Sequence, residues 1–193
     1  IFEIYKRNTD LVEPFSLDEA WLDGTGSRRL FGDGKTIADE LRRVVKEEIG
    51  ITISVGVSFC KVFAKLGSDY KKPDATTVFS AADWKKYIFP MPAQNMLYVG
   101  KSTLKDLNEM GIYTIGDIAS YDRELLKKRL GKLGETLHLY ANGLDDAPVK
   151  SIYDKDEIKS VGKGKTFAKD ISGYEELDHE IRMLSEAVAR RLR

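Results

Sequence analysis

The sequence is poor in the features that mark secreted, membrane-spanning or strongly basic proteins. Its single cysteine, Cys60, cannot form an intrachain disulfide and fits a reducing compartment. It has no apolar run long enough to span a membrane and no signal peptide. Lys plus Arg and Asp plus Glu both number 31, so no overall basic excess indicates a nucleic-acid partner. A cytoplasmic protein is therefore expected, and any contact with nucleic acid must rest on local features.

The two ends of the sequence lack start and stop signals. It opens on IFEIYKRN, which reads as the last turns of an amphipathic helix, without an initiator Met. It closes in AVARRLR, inside a helical pattern that has no stop signal. We therefore expect the chain to be a piece of a larger protein.

Residues 1–80 alternate strand and helix signals. Residues 11–16 and 20–25 predict a β-hairpin, and apolar residues at helical spacing up to Gly50 predict a helix. ITISVGVS then alternates large and small side chains as a strand does, KVFAKLGSDY predicts a helix, and TTVF predicts a short strand. The order ββαβαβ predicts an α+β, ferredoxin-like fold with helices on one sheet face.

The sequence pattern changes after residue 80. Short helical patterns punctuated by glycine predict a small all-helical module over residues 81–148. Residues 149–158 are polar and aperiodic, which indicates a linker. Residues 159–193 predict a strand in SVGKGKTFAKDIS followed by a helix.

Adjacent carboxylates, Asp18 and Glu19, interrupt an otherwise apolar run in EPFSLDEAWLDGTG. Two like charges 4 Å apart repel by roughly 4 kcal/mol at an effective dielectric near 20. Such a pair is tolerated in a solvated turn or beside a cation, and at a hairpin end both carboxylates can converge on one ion. Magnesium prefers carboxylate oxygens together with substrate phosphates. The setting, with Ser16 in FSLDEAWLD, favours the cation.

Three further sequence patterns are suited to binding phosphate groups. Clustered lysines near the end of the KVFAKLGSDYKKP helix can act as point charges, or can form an ordinary solvated face. In LYVGKSTLKDLNEMG, a glycine turn exposes N–H groups at a helix N-terminus, beside Lys101, Ser102 and Thr103. On a strand, Lys159, Lys163, Lys165 and Lys169 share one face and form a basic stripe, or a solvated edge strand that lysines protect from aggregation.

FSLDEAWLD, VGVSFCKVFAKLGSDYKKPD and SVGKGKTF together resemble the Y-family translesion DNA polymerases of the bacterial polymerase IV type. The resemblance runs through essentially the whole chain in the same order. It implies a partial palm over residues 1–80, a helix-hairpin-helix thumb over 81–148 and the start of a little finger domain over 159–193. It also implies a DNA-directed DNA polymerase that copies damaged templates.

The resemblance assigns roles to particular residues. Asp18 would be a metal ligand, and Glu19 would be the second acidic group, in a site for two Mg²⁺ ions. Ser16 and Lys72 would meet the incoming dNTP, with Lys72 on its triphosphate. Primer-template DNA would be bound by the thumb turn and the basic stripe, through Val99, Gly100, Lys101, Ser102, Thr103, Lys159, Lys163 and Lys165.

The chain departs from the family pattern in several places. The thumb motif usually carries Pro-Gly where this chain has Leu97 and Tyr98. The family's first metal-binding aspartate, its fingers and its C-terminal sliding-clamp peptide have no counterpart in this sequence. The chain alone is therefore expected not to polymerise.

Three alternatives stay open at this point. One is a catalytically dead polymerase homologue that binds DNA or recruits other proteins. Another is a nucleotidyl cyclase, which also carries acidic pairs on a palm hairpin but would not be expected to have the thumb. The third is a simple DNA-binding module.

Overall fold

The computed structural model describes residues 1–154 and 159–193, so residues 155–158 of the predicted linker lie outside the described residues. The chain divides into two compact units, Ile1–Tyr153 and Asp154–Arg193. Each is described by itself. None of the helices within the described residues combines the length and the apolar character that a membrane span requires.

The first unit opens with a short helix and a β-hairpin. Helix α1 (Phe2–Tyr5) is followed by strands β1 (Val12–Pro14) and β2 (Ala20–Leu22), which pair antiparallel with Glu13 opposite Trp21. The hairpin predicted from residues 11–25 is therefore present, with strands shorter than the sequence pattern indicated.

The next helices follow the capping signals in the sequence. A short helix, α2 (Arg28–Phe31), precedes the long helix α3 (Gly34–Ile49). The Asp33 side chain accepts a hydrogen bond from the Thr36 N–H at the start of α3, and Gly50 ends it in a left-handed conformation, with φ of 78°. The apolar face of α3 packs with α1 and β1 in a core that includes Ile4, Val12, Ile37, Leu41 and Val45.

A parallel strand–helix–strand unit completes this α+β part. It consists of β3 (Val55–Val57), α4 (Lys61–Tyr70) and β4 (Thr76–Val78). The predicted order ββαβαβ is confirmed, but the strands form two separate two-stranded sheets, β1–β2 and β3–β4. Of the alternating residues 51–58, only 55–57 form strand, because β4 offers a partner of only three residues.

The helices do not all lie on one face of β3, as the sequence pattern had suggested. The large side chain of Val57 points to α3, where it approaches Gly34. Gly56 points the other way, to α4, and a Cβ at this position would lie 1.8 Å from the Ala64 carbonyl oxygen. The small side chains of ITISVGVS therefore admit a close helix on the opposite face.

Gly56→Ala is expected to destabilise the protein by about 3 kcal/mol or more, because α4 must move away from β3 to admit the methyl group. Urea unfolding of the 193-residue chain measures the loss. Gly26→Ala is the matched control, since a Cβ there meets nothing within 4 Å and should change stability by less than about 0.5 kcal/mol. Equal effects of the two substitutions would contradict the close packing of β3 and α4.

Helices make up most of the rest of the first unit. They are α5 (Trp84–Ile88), a 3₁₀ turn (Ala93–Asn95), α6 (Lys101–Glu109), α7 (Ile115–Ser120), α8 (Arg123–Leu130) and α9 (Lys132–Ala141). These helices bury Leu107, Ile118 and Leu137 in a core that also contains Phe63 and Leu66 of α4. The boundary predicted near residue 81 lies inside one compact unit. The core that contains α4 is formed by residues from both sides of this boundary.

The second unit contains one long helix, α10 (Tyr174–Leu192). The strand predicted in residues 160–172 is absent from the described residues, so this part of the prediction is wrong. A strand needs a neighbouring strand to pair its backbone N–H and C=O groups, and residues 159–193 contain no strand that could pair with residues 160–172. The helix predicted to follow it is confirmed.

Candidate functional site

The tip of the β1–β2 hairpin brings two carboxylates to one hydroxyl group. Ser16 Oγ lies 3.0 Å from Asp18 Oδ1 and 3.4 Å from Glu19 Oε2, close enough to donate to either. The turn is held by the Phe15 N–H, which donates to the Glu19 carbonyl oxygen at 2.8 Å. Adjacent side chains of a regular strand would diverge, but in this turn Asp18 and Glu19 converge.

A lysine neutralises part of this acidic pair. Lys65 Nζ on α4 lies 2.6 Å from Glu19 Oε1 and 2.8 Å from Asp69 Oδ2. Asp69 Oδ1 in turn lies 2.6 Å from Lys72 Nζ. The structure therefore links the acidic hairpin to Lys72 through alternating charges, in the order Glu19, Lys65, Asp69, Lys72.

These contacts shift the pKa of the two central groups. Burial alone would lower the pKa of Lys65, but its hydrogen bonds to Asp69 and Glu19 raise it above the ordinary lysine value. Burial would raise the pKa of Asp69, but Lys65 and Lys72 lower it. Both groups therefore stay charged at neutral pH, as the ion-pair chain requires.

The ion-pair chain borders an open cleft between the hairpin and β3. The cleft has a volume of about 830 Å³, and Asp18, Glu19, Lys65 and Lys72 are among its lining residues. Ser16, Asp18, Glu19 and Lys72, all predicted from the sequence, thus belong to one continuous region.

A second ion pair joins the hairpin to the start of α4. Lys61 Nζ lies 2.6 Å from Glu13 Oε2, and the two side chains are only 12% and 18% exposed. The Lys61 ammonium also lies 5.2 Å from the centre of the Trp21 ring, whose N–H donates to the Lys61 carbonyl oxygen at 3.1 Å. Glu13 and Trp21 face each other across the hairpin, so Lys61 ties both of its strands to α4.

Residues 145–153, which we call the strap, run along this support. Asp145 Oδ2 accepts the Val62 N–H at 3.0 Å, which caps the start of α4. The Lys150 N–H donates to Glu13 Oε2 at 2.7 Å, and Ile152 packs against the core beside α3. The strap contains no helix or strand, as predicted for its residues 149–153, yet its contacts hold it against the hairpin, α4 and the core beside α3.

The predicted thumb turn lies at the start of α6. Gly100 precedes the helix, and Lys101, Ser102 and Thr103 form its first turn, with Lys101 and Ser102 exposed. Tyr98 takes a left-handed backbone conformation, with φ of 70°, at the position where the family motif has glycine. Tyr98, Val99 and Gly100 line a second cavity of about 480 Å³ together with Lys65 and Asp69.

The basic stripe predicted in the second unit is not presented by a strand. Lys159, Lys163 and Lys165 lie in a segment without helix or strand. Lys165 Nζ lies 2.7 Å from Glu180 Oε1 and 5.4 Å from the Phe167 ring centre. Lys159 and Lys163 are exposed, and their contact with DNA stays a prediction.

Lys65 and Asp69 are not among the site residues assigned from the sequence. Their spacing carries a signal, since residues three and four apart share one helix face. Lys65 and Asp69 have the spacing of four within α4, and Lys72, three residues after Asp69, lies just beyond the end of the helix. The contact of Lys65 with Glu19 spans 46 positions and has no local signal.

Three family models match successive parts of the chain. The impB/mucB/samB family matches residues 1–69, a thumb domain described for DNA polymerase-iota matches 98–145, and the impB/mucB/samB family C-terminal domain matches 158–193. The two impB/mucB/samB models together match more than half of the chain.

Curated relatives match along the whole chain. A DNA polymerase IV of Acetivibrio thermocellus is 50% identical over 99% of this chain and 48% of its own length. A DNA polymerase IV of Moorella thermoacetica is 42% identical over 100% of this chain and 48% of its own length. The chain thus spans about half the length of the curated relatives it matches.

The fold agrees with these matches. A solved Y-family DNA polymerase chimera, Dbh-Dpo4(243-245)-Dbh, is similar to this chain with a TM-score of 0.73 and 22% identity, over 100% of this chain and 70% of its own. The fold is that of a partial palm joined to a helical thumb. The chain belongs to the Y-family DNA polymerases, of the polymerase IV type.

Proposed function

We propose that this chain is a segment of a DNA-directed DNA polymerase that copies damaged templates. The reaction would join a dNTP to a primer 3′ hydroxyl by nucleotidyl transfer with two Mg²⁺ ions. The observation that carries the proposal is the ion-pair chain, which joins the Asp18 and Glu19 hairpin to Lys72 along one cleft.

The hairpin suits part of a magnesium site. Asp18 and Glu19 converge on the Ser16 hydroxyl, so their oxygens could share a hard cation that also takes phosphate oxygens and water. Within residues 1–154 and 159–193, no three acidic, histidine or cysteine side chains form a metal-binding cluster. We therefore assign Asp18 and Glu19 as two ligands of an incomplete site, and we expect the chain alone not to polymerise.

Bound magnesium would neutralise the charge that develops during in-line nucleotidyl transfer. The side chains of this chain would hold and orient the reactants. Lys72 would bind the triphosphate as a point charge, and the Ser16 hydroxyl would donate to the nucleotide. Lys65 is paired with Glu19, and it would exchange this carboxylate for a phosphate when nucleotide enters.

Primer-template DNA would be bound without regard to base sequence. The first turn of α6 offers exposed N–H groups and Lys101 to a backbone phosphate. Lys159, Lys163 and Lys165 would add contacts from the second unit, with Lys165 leaving Glu180 to do so. Recruitment by a sliding clamp is proposed for the intact protein only.

A DNA-binding or recruitment factor without catalysis is the second candidate function. Among the described residues, no third acidic, histidine or cysteine side chain joins Asp18 and Glu19 in a metal-binding cluster, which favours it. A nucleotidyl cyclase is less well supported, since the helices α6 to α9 match a polymerase thumb.

Titration of labelled primer-template duplex at several salt concentrations tests DNA binding by the 193-residue chain. We expect weak binding without sequence preference, and a log–log slope of roughly −0.9 for each phosphate neutralised. Lys101→Ala should make this slope shallower by about one phosphate contact. Lys105→Ala is the matched control, because its exposed side chain lies one turn farther along α6 and should leave the slope unchanged.

Salt-independent binding or a strong preference for one base sequence would contradict the proposed contacts. Equal slopes for Lys101→Ala and the wild type would remove Lys101 alone from the DNA interface.

A further inference from the structure

We infer that Arg42 is a positioning residue for the incoming nucleotide, and that it acts by fixing the turn that carries Lys72. The inference rests on the proposed function, in which Lys72 meets the triphosphate. Arg42 lies on α3, in another element from Lys72, and it reaches the turn through Asp74.

The Arg42 guanidinium binds both the carboxylate and the backbone carbonyl group of Asp74. Nε and Nη2 lie 3.2 and 2.9 Å from Asp74 Oδ1, and Nη2 also donates to the Asp74 carbonyl oxygen. Nη1 donates to Thr76 Oγ1 at 3.3 Å, at the first residue of β4. One side chain therefore holds the carboxylate and the backbone of the turn together with the strand that follows.

Neighbouring groups fix the guanidinium in turn. Thr76 Oγ1 donates to Asp39 Oδ1 at 2.6 Å, and this carboxylate oxygen lies 3.4 Å from Arg42 Nη1. Lys46 Nζ adds a contact of 3.2 Å to Asp74 Oδ2. The side chains of Arg42 and Asp74 are 23% and 27% exposed, so the pair is better shielded than a surface ion pair.

The backbone at Asp74 takes a conformation that benefits from such an anchor. Its φ of 50° lies in the left-handed region, which is unfavourable for most L-residues other than glycine. Only Pro73 separates Asp74 from Lys72, and its ring fixes its own φ. An anchor at Asp74 therefore limits where the Cα of Lys72 can lie, while the Lys72 side chain is held by an exposed ion pair with Asp69.

A lysine cannot replace this arginine. The planar guanidinium fork makes several directed hydrogen bonds at once, and an ammonium group offers a single point charge. Arg42→Lys keeps the charge of α3 and removes the planar fork that binds the Asp74 carboxylate, the Asp74 carbonyl oxygen and Thr76 at once. This substitution therefore tests the hydrogen bonds of Arg42 separately from its positive charge.

The test measures nucleotide dependence in a full-length polymerase that carries this sequence. Arg42→Lys is expected to raise the KM for dNTP by roughly tenfold while kcat changes by less than about twofold, because a binding contact is lost before chemistry. Asp74→Asn, which keeps a residue tolerant of left-handed φ but removes the charge, should act in the same direction. Arg43→Lys is the matched control, since Arg43 pairs with Glu40 and Glu47 inside α3 and should leave KM unchanged.

Lys72→Ala separates failure of the inference from failure of the proposed function. If Lys72→Ala leaves the nucleotide dependence unchanged, the proposed role of Lys72 is wrong, and the inference falls with it. If Lys72→Ala raises the KM and Arg42→Lys behaves like Arg43→Lys, the inference alone is overturned. The Arg42→Lys and Lys72→Ala double variant should be no worse than Lys72→Ala, because both remove the same contact.

Amide hydrogen exchange in the 193-residue chain provides a readout without activity. Exchange at residues 74–76 should be faster in Arg42→Lys than in Arg43→Lys, with the rest of α3 unchanged. Unchanged protection at these residues would overturn the anchoring role of Arg42.

Discussion

In a full-length polymerase that carries this sequence, Asp18→Asn is expected to slow primer extension by roughly 10³-fold or more. The substitution keeps the shape of the side chain and removes the charge that a magnesium ion would need. DNA binding should be nearly unchanged, since the proposed DNA contacts lie on α6 and in the second unit. Single-turnover extension and a binding titration on the same preparation measure the two effects separately.

Asp23→Asn is the matched control for this experiment. Asp23 follows β2, at the far end of the hairpin, and its carboxylate accepts the Thr25 N–H at 2.8 Å. Its replacement should leave extension within a few-fold of the wild type. Extension by Asp18→Asn at a rate near that of the wild type would exclude Asp18 from the reaction.

Glu13→Gln is expected to destabilise the 193-residue chain by roughly 2–3 kcal/mol, because it leaves the shielded Lys61 ammonium without a carboxylate. Urea unfolding measures this loss. Glu3→Gln is the matched control. Glu3 pairs with Lys6 but is 82% exposed, so its loss should change stability by less than about 1 kcal/mol.

The same pair predicts a dependence on pH. Burial would raise the pKa of Glu13, but Lys61 and the Lys150 N–H lower it below its ordinary value of 4.5. A lowered carboxylate pKa gives stability that is present above the unfolded-state pKa and is lost as the pH falls through the folded-state value. Wild type and Glu13→Gln should therefore converge in stability in acid. A constant difference between them, or one no larger than for Glu3→Gln, would contradict the support that Glu13 gives to the hairpin.

Local signals predicted the elements that frame the site. Apolar residues at helical spacing and the Gly50 stop predicted a helix that the structure places at Gly34–Ile49. The Asp18 and Glu19 pair stood out because charge interrupted an apolar run. Each of these features depends on residues near one another in the sequence, where propensity and capping act.

The features that escaped prediction depend on distant residues. Arg42 and Asp74 lie 32 positions apart, and Glu13 and Lys150 lie 137 apart. The strap has the composition of a linker, but a backbone N–H can bind a carboxylate whatever its own side chain is. The strand predicted around Lys163 is not formed, because alternation states which face a strand would show and supplies no partner to pair with it.

Templated primer extension by the full-length protein tests the central proposal most directly. A labelled primer on a template of known sequence would be incubated with magnesium and each dNTP in turn. The proposal predicts addition of the complementary nucleotide on undamaged template and continued addition across a damaged base, with both reactions lost in Asp18→Asn. Binding of the duplex without any nucleotide addition would contradict it and would instead support a catalytically inactive DNA-binding factor.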